Sequence, residues 1–405
     1  MTRRRDVLRS MGTVTASAGA VGLAGCTQEN SSSGDSTMRI GMAIPLTGTI
    51  GPVGISMEDG TEIAKNRFES EHDDFEIELV AQDTQYEPEQ GVRAARELIE
   101  QENVDVLIGP ANSASAQQAG EVAMQNEVIQ MNPAASANHL TAEECRENHF
   151  RTILNSDMEQ IITTRHALDN FGPRMSLLTV NNTYGQAVRD ATHEIVEQDG
   201  GEIVDDLQVA PDTQDVTAQV ETLRNTDADS IMIRVLGNAS PAFHRQAHEV
   251  GLPDEYPMST SVLFTEIKAL GEYLEGYHAW SFFSWEDDED ENVQQFTEDF
   301  QAVSDDHEHP WNHTASAYWA ALLPALAAVE QGSMAYDDLV SGLKGIEHDD
   351  PVPIKLRECD HQAQIPMQVV ELVGSDEYEH PVREPINTVS MEDSLFPCEE
   401  YDCTM

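Results

Sequence analysis

The chain has 405 residues, of which 74 are acidic and 22 basic, for a formal net charge of −52. That sign excludes nucleic acid as a partner, because holding a phosphate backbone demands a basic face. With 40% hydrophobic residues in recurring periodic segments, the chain still has the apolar content and the length for two compact lobes.

Residues 1–25 are expected to be an export signal. Arg4-Arg5-Asp6-Val7-Leu8-Arg9 follows the twin-arginine pattern, and residues 11–25 form a mild apolar stretch too short to span a membrane. Leu23-Ala24-Gly25-Cys26 is similar to a lipoprotein box, with Cys26 as the lipidated first residue. Residues 26–37 then read as a polar, Ser-rich tether. The expected location is the outer face of the cell membrane, held by the lipid on Cys26.

Strands and helices alternate from there on. Residues 39–44 read as a strand ending in Pro45-Leu46-Thr47-Gly48, followed by a helix near 57–69. A strand at 76–81 and an amphipathic helix at 87–102 come next. Residues 104–108 are a short apolar strand, broken by Gly109-Pro110-Ala111-Asn112. Ser113 opens a segment of helical spacing, with Ser113 expected at the N-cap. Residues 128–131 are a further strand, closed by Asn132-Pro133 and the small residues Ala134, Ala135 and Ser136. Both loops of this unit leave the carboxyl ends of parallel strands, which is where open α/β sheets bind ligands. A helix start there also favours a carboxylate.

The second half repeats the pattern. Asn155-Ser156-Asp157 caps a helix running to Phe171; strands follow at 176–180, 202–208, 230–236 and 257–261, with helices between them. Two rounds of βα repetition predict an α/β fold of two doubly wound parallel-sheet lobes. Residues 313–329 read as an Ala-rich helix given bulk by Tyr318 and Trp319, and Trp280, Phe282, Phe283 and Trp285 as packing for the core and hinge.

PLTG from Pro45, VDVLIGPANSAS from Val104, NPAAS from Asn132, FRTILNSD from Phe150, TYG around Tyr184 and RECDHQ from Arg357 occur in order through most of the chain beyond the signal. With these motifs the chain resembles the type 1 periplasmic solute-binding proteins of ABC importers, of the leucine/isoleucine/valine-binding family. The resemblance implies lobes at 38–154 plus 286–350 and at 155–285 plus 351–385, a tail at 386–405, and a three-crossover hinge near Asn155, Trp285 and Asp350. It also implies a solute held between the lobes of a monomer, no catalysis, no cofactor, and delivery to ABC permease and ATPase subunits. Ser113 matches the family's carboxylate-binding serine, Ala135 and Ser136 its Ala-Thr pair, and Tyr184 the tyrosine that closes from the second lobe. Asn238 or Ala239 stands where a second tyrosine is usual, and Ser261 where amino-acid binders carry a glutamate for the ligand's ammonium. The default ligand is therefore a branched-chain amino acid, with amides or urea as alternatives. A ligand-binding adaptor for a chemotaxis or signalling receptor is the other reading of such a fold.

Other segments point to less. His307, His309 and His313 with Asp305 and Asp306 lack the spacing of a metal site, and none is expected. Residues 286–291 (EDDEDE) read as a solvated acidic loop, in keeping with a surface similar to those of haloarchaeal proteins. After Cys26, Cys398 and Cys403 could close a small terminal loop and Cys145 could pair with Cys359 by elimination, with the pairing among the four left open.

Overall fold

The structure is a computed structural model, and it describes residues 36–405 except Thr49, Val262, Asp288, Asp306 and His307. The expected signal, Cys26 and all but the last two residues of the tether lie outside the described residues. The chain begins with β1 (Ser36–Ile44), α1 (Gly51–Glu71), β2 (Phe75–Asp83), α2 (Pro88–Glu100), β3 (Val106–Ile108), α3 (Ser113–Gln125), β4 (Ile129–Asn132) and β5 (His149–Arg151). These strands form a parallel sheet in the order β2-β1-β3-β4-β5. The second lobe runs α4 (Ser156–Asn170), β6 (Arg174–Val180), α5 (Thr183–Gln198), β7 (Glu202–Val209), α6 (Thr217–Arg224), β8 (Ser230–Arg234), α7 (Ala239–Glu249), α8 (Leu252–Glu255), β9 (Met258–Thr260), α9 (Phe264–Leu270) and β10 (His278–Ser281). The chain then returns through α10 (Glu291–Val303), α11 (Asn312–Gln331), α12 (Tyr336–Leu343) and the strands β11 (Glu347–His348), β12 (Ile354–Leu356) and β13 (Ala363–Gln364). It ends with β14 (Met367–Val373) and β15 (Val382–Val389). The second sheet has the order β15-β14-β10-β9-β8-β6-β7. Strands β6 to β10 are parallel, as the βα repetition predicts, and β14 and β15 add an antiparallel edge that the pattern did not announce.

Burial explains the elements. Strands β3, β4 and β8 are buried along their whole length, so they read as continuous rather than alternating runs, apolar or neutral except for the buried Arg234 that ends β8. Helix α2 buries Gly91, Ala94, Ala95, Leu98 and Ile99 on one stripe and leaves its acids in water. Helix α11 is buried nearly all round and carries the fully buried Trp319. It lies so close to α1 that a Cβ on Gly60 would sit 2.2 Å from the Thr314 carbonyl oxygen; only glycine fits there. Among the described residues, no helix is long and apolar enough to cross a membrane.

Four expectations need correction. Strand β11 pairs with β12, so the boundary expected at Asp350 falls inside a three-stranded sheet; we propose the third crossing at Ile365–Pro366, just before β14 joins the second sheet. The disulfides are Cys145–Cys403 and Cys359–Cys398, because the tail after β15 turns back over the first lobe and lays each of its cysteines beside one there, at Cα separations of 5.6 and 6.3 Å. Glu286 is not a solvated loop residue: its carboxylate pairs with the buried Arg383 at 2.6 Å. Finally, Asn112 rather than Ser113 caps α3, its side-chain oxygen accepting from the N–H groups of Ala114 (3.0 Å) and Ser115 (3.4 Å).

Candidate functional site

The carboxyl ends of both parallel sheets open onto one cleft of about 950 Å³ of empty space, including the part open to solvent. Its walls are built in strand order. Ile50 follows β1, Tyr86 follows β2, Ala111 and Ser113 follow β3, Ala134 and Ser136 follow β4, and Ile153 follows β5. From the second lobe, Tyr184 follows β6, Leu236 follows β8, and Ser261 and Leu263 follow β9. Trp280 of β10, Trp311, His313 and Arg383 of β15 complete it. Most of this lining is apolar, with a few polar groups placed among it, which is the usual make-up of a small-molecule site.

The expected site residues divide. Ser113, Ser136, Tyr184 and Ser261 line the cleft together. Among the described residues no partner takes up the Ser113 hydroxyl, and its N–H at the first position of α3 is also uncommitted. Ala135 does not line it: its N–H donates to the Asn132 side chain and its carbonyl accepts from the same amide, both at 2.8 Å, while Ala134 takes the wall position. Asn238 is exposed, its N–H bound to the Pro211 carbonyl at 2.8 Å, and Leu236 faces the cleft instead.

Glu159, in the first turn of α4, was not foreseen. It lines the cleft at 3% exposure, and the Tyr184 hydroxyl donates to its Oε2 at 3.1 Å. Burial pushes its carboxyl up to about 7, against the opposing pull of the Arg234 charge and of hydrogen bonds from Tyr184 and Ser136. Burial and the neighbouring Glu159 push the Tyr184 phenol well above its ordinary value, so it stays a neutral donor. Its hydroxyl also reaches Ser261, whose Oγ accepts from the Trp280 indole N–H at 2.9 Å. The sequence signal for Glu159 was its place one turn inside a helix that starts where the chain enters the second lobe.

The remaining polar groups hold the wall. Arg383 pairs with Glu286, donates to the Phe283 carbonyl at 2.9 Å and lies 3.7 Å from the Trp311 ring centroid. Asn312 Oδ1 accepts from the N–H of Phe283 at 3.0 Å. Burial pushes the His313 imidazole down to about 4, so it is neutral near pH 7. His309 stacks on Trp285 at 3.6 Å between centroids, and no group of three potential metal ligands occurs among the described residues. Asp306 and His307 lie outside them.

Residues 37–377 match the family model for periplasmic binding proteins. The chain belongs to that family. The Leu/Ile/Val-binding protein BraC3 of Rhizobium johnstonii is 24% identical over 238 residues, covering 58% of this chain and 64% of the relative; the match thus spans less than two thirds of that protein's length. A periplasmic binding protein from Burkholderia mallei superposes with a TM-score of 0.83 at 20% identity, covering 91% of this chain and 98% of the other. The solute-binding protein of an ABC transporter from Rhodopseudomonas palustris BisB5, solved with 3,4-dihydroxybenzoic acid, gives 0.79 at 19% identity, covering 88% and 98%. At such identities these likenesses speak for a shared two-lobed fold. Members of the periplasmic binding protein family bind solutes outside the cytoplasm.

Proposed function

We propose that this chain is the extracytoplasmic substrate-binding component of an ABC importer, capturing a small polar solute between its lobes and presenting it to permease and ATPase subunits without chemical change. The observation that carries this reading is the convergence of Ser113 and Ser136 from the first lobe and Tyr184 from the second on a single cleft. The name of the Rhizobium relative favours a branched-chain amino acid, whereas the Rhodopseudomonas neighbour holds an aromatic acid. The apolar walls, among them Val53, Leu236, Leu263, Ile267 and Leu372, suit the side chain of either. Export through the twin-arginine signal, a lipid on Cys26 and a monomeric state belong to the same proposal, as does a halophilic habitat for the acidic surface.

The test is a thermal-shift screen in high salt with branched-chain amino acids, amides, urea and 3,4-dihydroxybenzoate. The reading predicts that at least one raises the unfolding midpoint, with one-to-one stoichiometry by calorimetry. A midpoint unmoved by every solute would contradict it.

A further inference from the structure

Resting on the solute-capture reading, we infer that Glu159 is the residue that takes a protonated nitrogen of the ligand, so that the cleft selects an amino acid over a plain carboxylic acid.

Ser261 brings no charge to the cleft, and its Oγ already accepts from Trp280. The Tyr184 hydroxyl links that same spot to Glu159. An acid is therefore present beside Ser261, carried by α4 instead of by the loop after β9. A carboxylate offers about four acceptor sites, and Tyr184 and Ser136 take two. Among the described residues no Lys, Arg or His forms an ion pair with Glu159. The two guanidiniums that act on it, Arg234 and Arg151, are committed elsewhere: Arg234 to Thr163 Oγ1 (2.8 Å) and Ser259 Oγ (3.3 Å), Arg151 to the carbonyls of Ser136 (3.1 Å) and Ala137 (2.8 Å).

The rest of the lining gives the sign. Arg383 is neutralised by Glu286, and His313 is uncharged. Glu159 is thus the one charged cleft residue, among those described, without an ion-pair partner. A buried carboxylate in that state is costly unless something positive completes it. Among the described lining residues, a purely anionic ligand meets no cation that lacks a carboxylate partner, and it faces that carboxylate. A zwitterion meets both halves of its charge: Ser113 and the start of α3 for its carboxylate, Glu159 for its ammonium.

The test is calorimetry in high salt on the whole protein and on Glu159→Gln. The probes are L-leucine and L-phenylalanine, each beside its deaminated analogue, 4-methylpentanoate or 3-phenylpropanoate, and 4-hydroxybenzoate. Losing a hydrogen bond to a charged group lowers affinity about 10- to 100-fold. The preference of the wild type for an amino acid over its deaminated analogue is expected to shrink by that factor in Glu159→Gln. An unchanged preference overturns the inference. Should the variant fail to fold, the wild type supplies the readout: taking the pH from about 8 to about 6 protonates Glu159 and should erode the same preference, and a constant preference overturns the inference. Wild type that binds 4-hydroxybenzoate but neither amino acid overturns the role of Glu159 while solute capture stands. Wild type that binds none of the five overturns the role of Glu159, and it overturns solute capture as well when the amides and urea of the screen also leave the unfolding midpoint unmoved.

Discussion

Cys403 is disulfide-bonded to Cys145, 258 residues earlier, and this bond ties the tail that leaves the second lobe's edge strand to the first lobe. The Cys359–Cys398 bond, the buried Leu395 and the hydrogen bond from Arg357 Nη1 to the Phe396 carbonyl at 2.9 Å fasten the same tail. A cross-link closing so long a loop removes much freedom from the unfolded chain. Reduction, or Cys403→Ser, is expected to lower stability by about 2–5 kcal/mol. Denaturation with and without reductant checks this; a variant lacking all four of these cysteines should no longer respond to reductant.

Glu159 has a stability signature of its own. Its carboxyl titrates at about 7 when folded, above the ordinary 4.5, so the folded state favours the neutral form. Stability is then full below the ordinary value, declines as the pH rises towards about 7, and stays reduced above that. Glu159→Gln mimics the neutral acid. At about pH 8 the empty variant should be more stable than the wild type by about 1–3 kcal/mol, and near pH 4.5 the two should converge. Melting curves at the two pH values decide it, and a less stable variant at the higher pH contradicts the assignment.

The charge of −52 predicts salt-dependent folding. The Debye length falls from about 10 Å at 0.1 M to about 3 Å at 1 M, which screens the self-repulsion of the surface. The unfolding midpoint should climb steeply across that range, and a flat profile would refute the expectation.

Lipid anchoring is checked with Cys26→Ser. The variant is expected to leave the membrane fraction for the medium with an unchanged unfolding midpoint. Equal membrane retention places the anchor elsewhere.

Much of the fold was legible in the sequence because βα repetition forces parallel strands, and parallel strands place their outgoing loops on one side. Ser113 and Ser136 follow from that logic, whereas Tyr184 and Ser261 are implied by the resemblance to the family. Ala135 was misplaced because local spacing does not say which of two adjacent small residues turns inward; the Asn132 side chain decides it by taking both polar groups of Ala135. Asn112 and Ser113 are both good caps, and only the backbone shows which one stands at the boundary. Glu159 and Arg383 were illegible for a different reason. Each depends on partners distant in the chain, Tyr184 for one and Glu286 for the other, and pairing at such range leaves no periodic trace. The tail's disulfides followed the path of β15, which nothing before it foretold.

The central claim is capture between the lobes, and calorimetric titration of the best ligand from the screen into the wild type, Ser113→Ala and Tyr184→Phe tests it most directly. Because Asn112 caps α3, Ser113→Ala should leave the midpoint of the empty protein nearly unchanged, whereas Asn112→Ala should cost about 1 kcal/mol. Both cleft variants, one from each lobe, are expected to bind about 10- to 100-fold more weakly than the wild type. Wild-type affinity in both would mean that the solute is held somewhere other than the cleft.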